Sequence, residues 1–207
     1  MRPLARSLLI LASTALVSFA VACGGDDDSS PGATPTERPA ATEPAAATEP
    51  AAETDEPSAG NLQLTSSAFA NNAAIPVRYT CDGENLSPPL AIAGVPEETS
   101  ALALIVVDID GPGRGFVHWT VFDIDPATTD VAEGAVPGGG TEGQTSLGDG
   151  GYFGPCPPSG VHRYVFTLYA LDAGLVLDAA TSGRAEIEAA MEGHVLDSAE
   201  LTGTYSR

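Results

Sequence analysis

Apolar and polar positions along this chain change rhythm several times, and three stretches carry the clearest pattern. At 101–112, ALALIVVDIDGP, a continuous apolar run ends in Asp108 and Asp110, as expected of a buried strand emerging at a turn. Lying two apart, these acids would point the same way if the strand continued through them. FVHWTVF at 116–122 reads as a second strand carrying His118. GYFGPCPPSGVHRYVFTLYAL at 151–171 passes from a Gly/Pro-locked turn into a long alternating run. There His162, Tyr164, Phe166 and Leu168 share one face and Arg163, Val165, Thr167 and Tyr169 the other. Alternation also turns Trp119 away from His118, which assigns the indole to packing, and sets Arg163 opposite His162, free to pair with an acid.

Further strands are predicted at 62–66, 77–80, 90–93 and 200–205, beside the three longer ones at 102–109, 118–124 and 163–170. DGEN, GVPEET and DGPGRG supply the turns between them. The stretch 134–158 is too long for a plain connection, so it is either functional or carries structure of its own. One helix is predicted: Thr181 or Ser182 caps it, Ile187, Ala190 and Met191 share a face, and Gly193 stops it. The pattern predicts a mostly β fold, an antiparallel sandwich or large central sheet with one or two short helices, the C-terminal helix followed by a strand.

The first 60 residues have a different character. Residues 1–22 join a basic start (Arg2, Arg6) to an apolar run from Leu8 to Phe19, the pattern of an export signal. That run is shorter than the roughly 20 apolar residues a membrane span needs. The small residues Ala20, Val21 and Ala22 precede Cys23 and resemble a bacterial lipobox, with Ala20 where leucine is usual. Lipidation at Cys23 would anchor the protein to a membrane; the alternative is ordinary cleavage after AVA, releasing a soluble protein with a free thiol. Residues 24–60, with their TEPAAATEPAAETDEP string, have no aromatic residue and no periodic apolar face. They read as an acidic tether spanning about 35 Å as a flexible coil. Residues 61–207 are long enough for a single domain with its own core.

Charge narrows the choice of partner. The formal net charge is −20, and the chain has no lysine. Nucleic-acid binding needs basic patches and is excluded, as is a broad electrostatic grip on anionic lipid. An anionic ligand would have to be met by a local pocket. Cys81 and Cys156 remain as an even pair, in an exported protein either a disulfide or two buried thiols that never meet.

DIDGP at 108–112, the pair His118–Trp119, GPCPPSGVHRY at 154–164, YTCDGENLSPPL at 79–90 and MEGHVL at 191–196 together resemble the phosphatidylethanolamine-binding proteins, in their bacterial Raf-kinase-inhibitor-like branch. Ile109 and Gly111 stand where that family usually has proline and alanine. The resemblance implies the β architecture already read from the pattern. It also implies that Asp108, Asp110, His118, His162 and Tyr164, with Gly154 and Pro155, line a pocket for a small anion or a phosphoryl or phospholipid head group, and that the protein binds rather than catalyses. Modulation of a protein partner follows from the same likeness; for an exported domain a protease inhibitor is a more natural form of it than a kinase inhibitor.

Two acids do not attract phosphate by charge. A carboxyl must be protonated, or the imidazoles cationic, or backbone amides must dominate. Pro155, Pro157 and Pro158 have no N–H, so loop donors are limited to Gly154, Cys156, Ser159 and Gly160. Affinity should therefore rise as pH falls, with Pro157 and Pro158 supplying a rigid wall. His194 reads as a helix-end residue. The alternatives are a divalent-metal site on the Asp/His set, although no segment has metal-ligand spacing, and a Ser/His hydrolase using Ser159, although there is no GxSxG elbow. No cofactor is implied.

Overall fold

The computed structural model describes residues 61–207; the signal segment, Cys23 and the tether lie outside the described residues. The long alternating run forms β8 (Val161–Leu171), paired on one side with β9 (Val195–Ser206) and on the other with β4 (Ala101–Asp108). The sheet extends through β5 (Phe116–Ile124) to β7 (Thr141–Glu142), and past β9 to β2 (Ala73–Ala74). Its order is β2-β9-β8-β4-β5-β7, antiparallel except for the parallel β2–β9 pair, which makes the sheet mixed. A smaller antiparallel sheet is formed by β1 (Gln63–Thr65), β3 (Leu90–Ala93) and β6 (Asp130–Val131), in the order β1-β3-β6.

Every residue of β4 is buried, because both faces of the large sheet are covered, and this is why its sequence is continuously apolar. On one face Leu104, Val106, Trp119 and Phe166 pack under Leu64, Ile92 and Val131 of the small sheet. On the other, Ala103, Ile105, Val107 and Phe122 are covered by Leu175 and by Ile187 and Met191 of α1 (Arg184–Met191). Truncating Ile187, which is fully buried, to alanine should cost about 2–5 kcal/mol.

Several expectations need correction. Residues 77–80 are not a strand: Val77–Tyr79 is a single 3-10 turn begun by Pro76, and both the N–H and the hydroxyl of Thr80 donate to the Val77 carbonyl. The helix starts at Arg184 with Gly183, rather than Thr181 or Ser182, as its cap, and the Gly183 N–H donates to the Glu186 carboxylate. Gly193 does follow the helix, at φ +83°. The long loop holds a 3-10 turn at Pro137–Gly139, then β7, then a bridge between Gln144 and Gly150. The strands missing from the sequence reading, β2, β6 and β7, have two residues each, too few to show a period. Among the described residues no helix is long and apolar enough to cross a membrane.

Candidate functional site: a cleft at the strand ends

Antiparallel pairing brings the last residue of β4 beside the first residues of β5 and β8, with Asp108 opposite Phe116 on one side and Tyr164 on the other. At this end of the sheet lies a cleft of about 520 Å³. Asp108, His118 and His162 supply its central polar groups; Phe116, Leu147 and Phe153 supply much of its apolar wall, with Pro112, Cys156 and Pro158. The adjoining ends of β4 and β5 thus meet the start of β8, much further along the chain, in one hollow.

His118 reaches the cleft because β5 is irregular there. Val106 pairs with Trp119 but Val107 pairs with Val117, which leaves His118 as an extra residue in the ladder. Alternation breaks at this bulge, so Trp119 is not turned to the far face. It packs in the same core cluster as Tyr164, against whose ring His118 stands edge-on at 5.1 Å. The indole N–H donates to Glu142, 2.8 Å away, and the assignment of Trp119 to packing holds. The imidazole of His118 stacks on Phe153 at 5.6 Å and lies 4.9 Å from Phe116. Its Nδ1 lies 2.6 Å from the Phe153 carbonyl, which can only accept, so Nδ1 carries a proton. Burial pushes the His118 pKa below the ordinary histidine value despite that carbonyl and the nearby Asp108. Near neutral pH the ring is therefore uncharged, with Nε2 as a bare acceptor.

His162 is oriented in the same manner by a different group. Its Nδ1 donates to the Asp108 carboxylate at 2.7 Å, with both side chains largely buried. The other Asp108 oxygen accepts the Asp110 N–H at 3.0 Å. Among the described residues no geometrically good hydrogen bond to Nε2 of either imidazole is formed, although the Gly154 backbone also lies beside the His118 ring.

Asp108 and Asp110 do not act as a parallel pair. β4 ends at Asp108 and the chain turns, so Asp110 faces Arg163, whose Nε and Nη2 donate to its two oxygens at 3.0 and 2.7 Å. The Arg163 backbone N–H adds a third bond at 2.9 Å. This clamp holds the Asp110 carboxyl down to about 2. Asp110 touches the cleft as a charge already paired, while Asp108 serves His162 directly.

The remaining expected lining residues sit behind the wall. Tyr164 is fully buried, and among the described residues its hydroxyl has no hydrogen-bond partner; burial, and then the neighbouring Asp108, push its pKa up. Gly154 donates to the Asn85 side chain at 2.8 Å, and a Cβ there would stand 2.7 Å from that oxygen, so only glycine fits. The Pro155 carbonyl accepts the Cys81 N–H, and Cys81 is bonded to Cys156, with Cα atoms 5.4 Å apart. Gly160 donates to the Arg207 carbonyl, so two of the four expected loop amides are committed elsewhere. Of the two prolines expected to form the wall, Pro158 lines the cleft and Pro157 is buried.

Ser159 is exposed and outside the lining, which among the described residues holds no serine or threonine. Among the described residues no three His, Cys, Asp or Glu side chains gather in a way that could hold a metal ion. His194 lies far along the chain at the end of α1, paired with Asp172. Sequence reasoning missed Phe116, Leu147 and Phe153. For Phe116 a signal existed, its place two residues before His118; Leu147 and Phe153 belong to a loop whose path no period reveals.

Comparison with known proteins identifies the family. The phosphatidylethanolamine-binding protein family matches residues 65–206. A Methanothermobacter thermautotrophicus protein named UPF0098 is 50% identical over 151 residues, covering 70% of this chain and 99% of its own length. A Mycobacterium tuberculosis protein, LppC, whose name describes it as a lipoprotein, is 38% identical over 202 residues, covering 97% of this chain and 96% of its own. The crystal structure of CT736 from Chlamydia trachomatis, described as a homologue of the family, matches with a TM-score of 0.68 at 39% identity. That of Escherichia coli YbcL, described as a member of the mammalian family, matches with 0.67 at 29%; each covers 72% of this chain and 99% of its own. With its two sheets, its strand-end cleft and these matches, the chain belongs to the phosphatidylethanolamine-binding protein family.

Proposed function

We propose that the protein is a non-catalytic binding protein whose cleft takes a small anion, either free or as the phosphoryl head group of a larger ligand. The observation that carries this reading is the pair of imidazoles at one mostly apolar cleft, both with Nδ1 tied down and, among the described residues, with no hydrogen bond to Nε2. Orientation is settled in advance, which lowers the ordering cost of binding. The apolar wall of Phe116, Leu147 and Phe153 suits the carbon portion of a head group. A binding role fits the lining, where the cysteine is in a disulfide and the central carboxylate already serves His162.

The protonation logic gives the reading its sign. An anion at His118 needs a proton on Nε2, and burial holds that proton off near neutrality. Binding an anion offsets this, so affinity rises as pH falls. Titration calorimetry with phosphate, phosphoethanolamine and acetate at pH 6 should give weak binding that His162→Ala reduces by about tenfold. Affinity that increases from pH 6 to pH 8, or is indifferent to His162→Ala, would sink the proposal.

We also infer that the protein is exported and held to the outer face of a bacterial membrane through a lipidated Cys23. The small residues before that cysteine support this, as does similarity to LppC along nearly the whole chain. Cys23→Ser should move the protein from the detergent phase to the aqueous phase; unchanged partitioning refutes the anchor. A protein partner reached from that anchor would be met at or beside the cleft.

A further inference from the structure

The Cys81–Cys156 bond has surroundings that differ at its two sulfurs. Cys156 lies in the cleft wall, and Nη1 of Arg207 donates to its Sγ at 3.5 Å. Cys81 is followed directly by Asp82, an acid held in place by Tyr205 at 2.8 Å and by Nη2 of Arg207 at 2.6 Å. One sulfur therefore has a guanidinium against it, whereas no cation contacts the other among the described residues, the carboxylate of Asp82 being paired with that same guanidinium. A thiolate forms more readily beside a cation. Both cysteines are partly exposed.

The geometry points to a directional thiol-exchange site: a low-molecular-weight thiolate attacks Cys81 Sγ, and Cys156 leaves as a thiolate held by Arg207. In this step the incoming sulfur forms a bond to Cys81, the Cys81–Cys156 bond breaks, and its electron pair departs on Cys156 Sγ. The products are a mixed disulfide at Cys81 and a thiolate at Cys156. A second thiolate then attacks the outer sulfur of the mixed disulfide, releasing the oxidised small-molecule dimer and leaving Cys81 reduced. Two electrons pass from two small thiols to the protein disulfide. The better-stabilised leaving thiolate departs faster, and this fixes the direction of attack. The backbone near the bond has other ties, from Gly154 to Asn85 and from Cys81 to Pro155, which favour opening of the bond without loss of the fold. Resting on the anion reading above, the consequence is that exchange places a new negative charge in the cleft wall and weakens anion binding.

The test is to incubate the oxidised, folded protein with glutathione at pH 8, quench with N-ethylmaleimide and map the peptides by mass spectrometry. Glutathione should appear on Cys81 and maleimide on Cys156, in about tenfold excess over the reverse. Arg207→Gln should slow the first step several-fold and even out the two positions, and Arg207→Lys should restore part of the bias. Equal labelling of the wild type, glutathione chiefly on Cys156, no adduct without denaturant, or an Arg207→Gln variant indistinguishable from wild type each overturns the assignment. Because the mapping needs no ligand, its failure is separate from a failure of oxidised wild-type protein to bind phosphate, which would sink the anion reading alone.

Discussion

Two histidine–aspartate pairs in this protein meet at the same distance, 2.7 Å from Nδ1 to a carboxylate oxygen, in different surroundings. His162 and Asp108 are 14% and 7% exposed at the strand ends, whereas His194 and Asp172 are 48% and 47% exposed beyond α1. Contact geometry alone would rank them as equals. Burial separates them: water screens the outer pair and can replace either partner, while the inner pair has no such substitute. The inner pair also lies against aromatic rings, a second imidazole and a cavity, whereas the outer pair joins the end of the helix to the end of β8.

The largest expected difference is in stability. Asp108→Ala leaves a largely buried imidazole and the Asp110 N–H without their acceptor and should cost about 3 kcal/mol. Asp172→Ala should stay within about 0.5 kcal/mol. Denaturant unfolding of the two variants checks this, and equal losses would mean that burial is not what distinguishes the pairs. Next comes ligand affinity: His162→Ala should weaken phosphate binding by about tenfold, and His194→Ala should leave it unchanged. A comparable loss in the His194 variant would move the site away from the cleft.

The smallest expected effect is the pH response of the unliganded fold. Burial depresses the His118 pKa in the folded state, so on acidification the unfolded chain takes up its proton first. Stability from this group is complete above the ordinary histidine pKa and declines as pH falls through that value toward the lower folded one. Unfolding free energies measured at pH 7.5 and 5.5 should fall toward acid, and His118→Asn should flatten part of that slope. Adding phosphate at the lower pH should recover stability in the wild type and not in the variant; recovery in both would place the anion elsewhere.

Several features of the site were legible in the residue pattern. Asp108, His118 and His162 could be placed because each sits at the end of a run whose strand character is strong, and antiparallel pairing of such runs brings their ends together. The Tyr164–Phe166–Leu168 face was legible for the same reason, since strict alternation feeds one side of a sheet. Arg163 on the opposite face found its acid in Asp110. The bulge at His118 was not legible, because one extra residue in a ladder is defined by the partner strand and not by the strand that carries it. Nor was the turn at 77–79, where a short string of mixed residues satisfies either reading until Pro76 and the Thr80 hydroxyl decide it.

The order of apolar and polar residues alone determined that this is a mostly β domain with a helix before its last strand, because periodicity and turn chemistry act over neighbouring residues. Tertiary structure alone decided that Phe153 provides the carbonyl for His118, that Asp108 and Asp110 serve different partners, that Cys81 and Cys156 are joined, and that Tyr164, Gly154 and Pro155 lie behind the wall they were expected to form. Each of these depends on groups far apart in the chain competing for the same few ångströms, and the winner is set by burial and by which hydrogen-bond partners the packing leaves within reach.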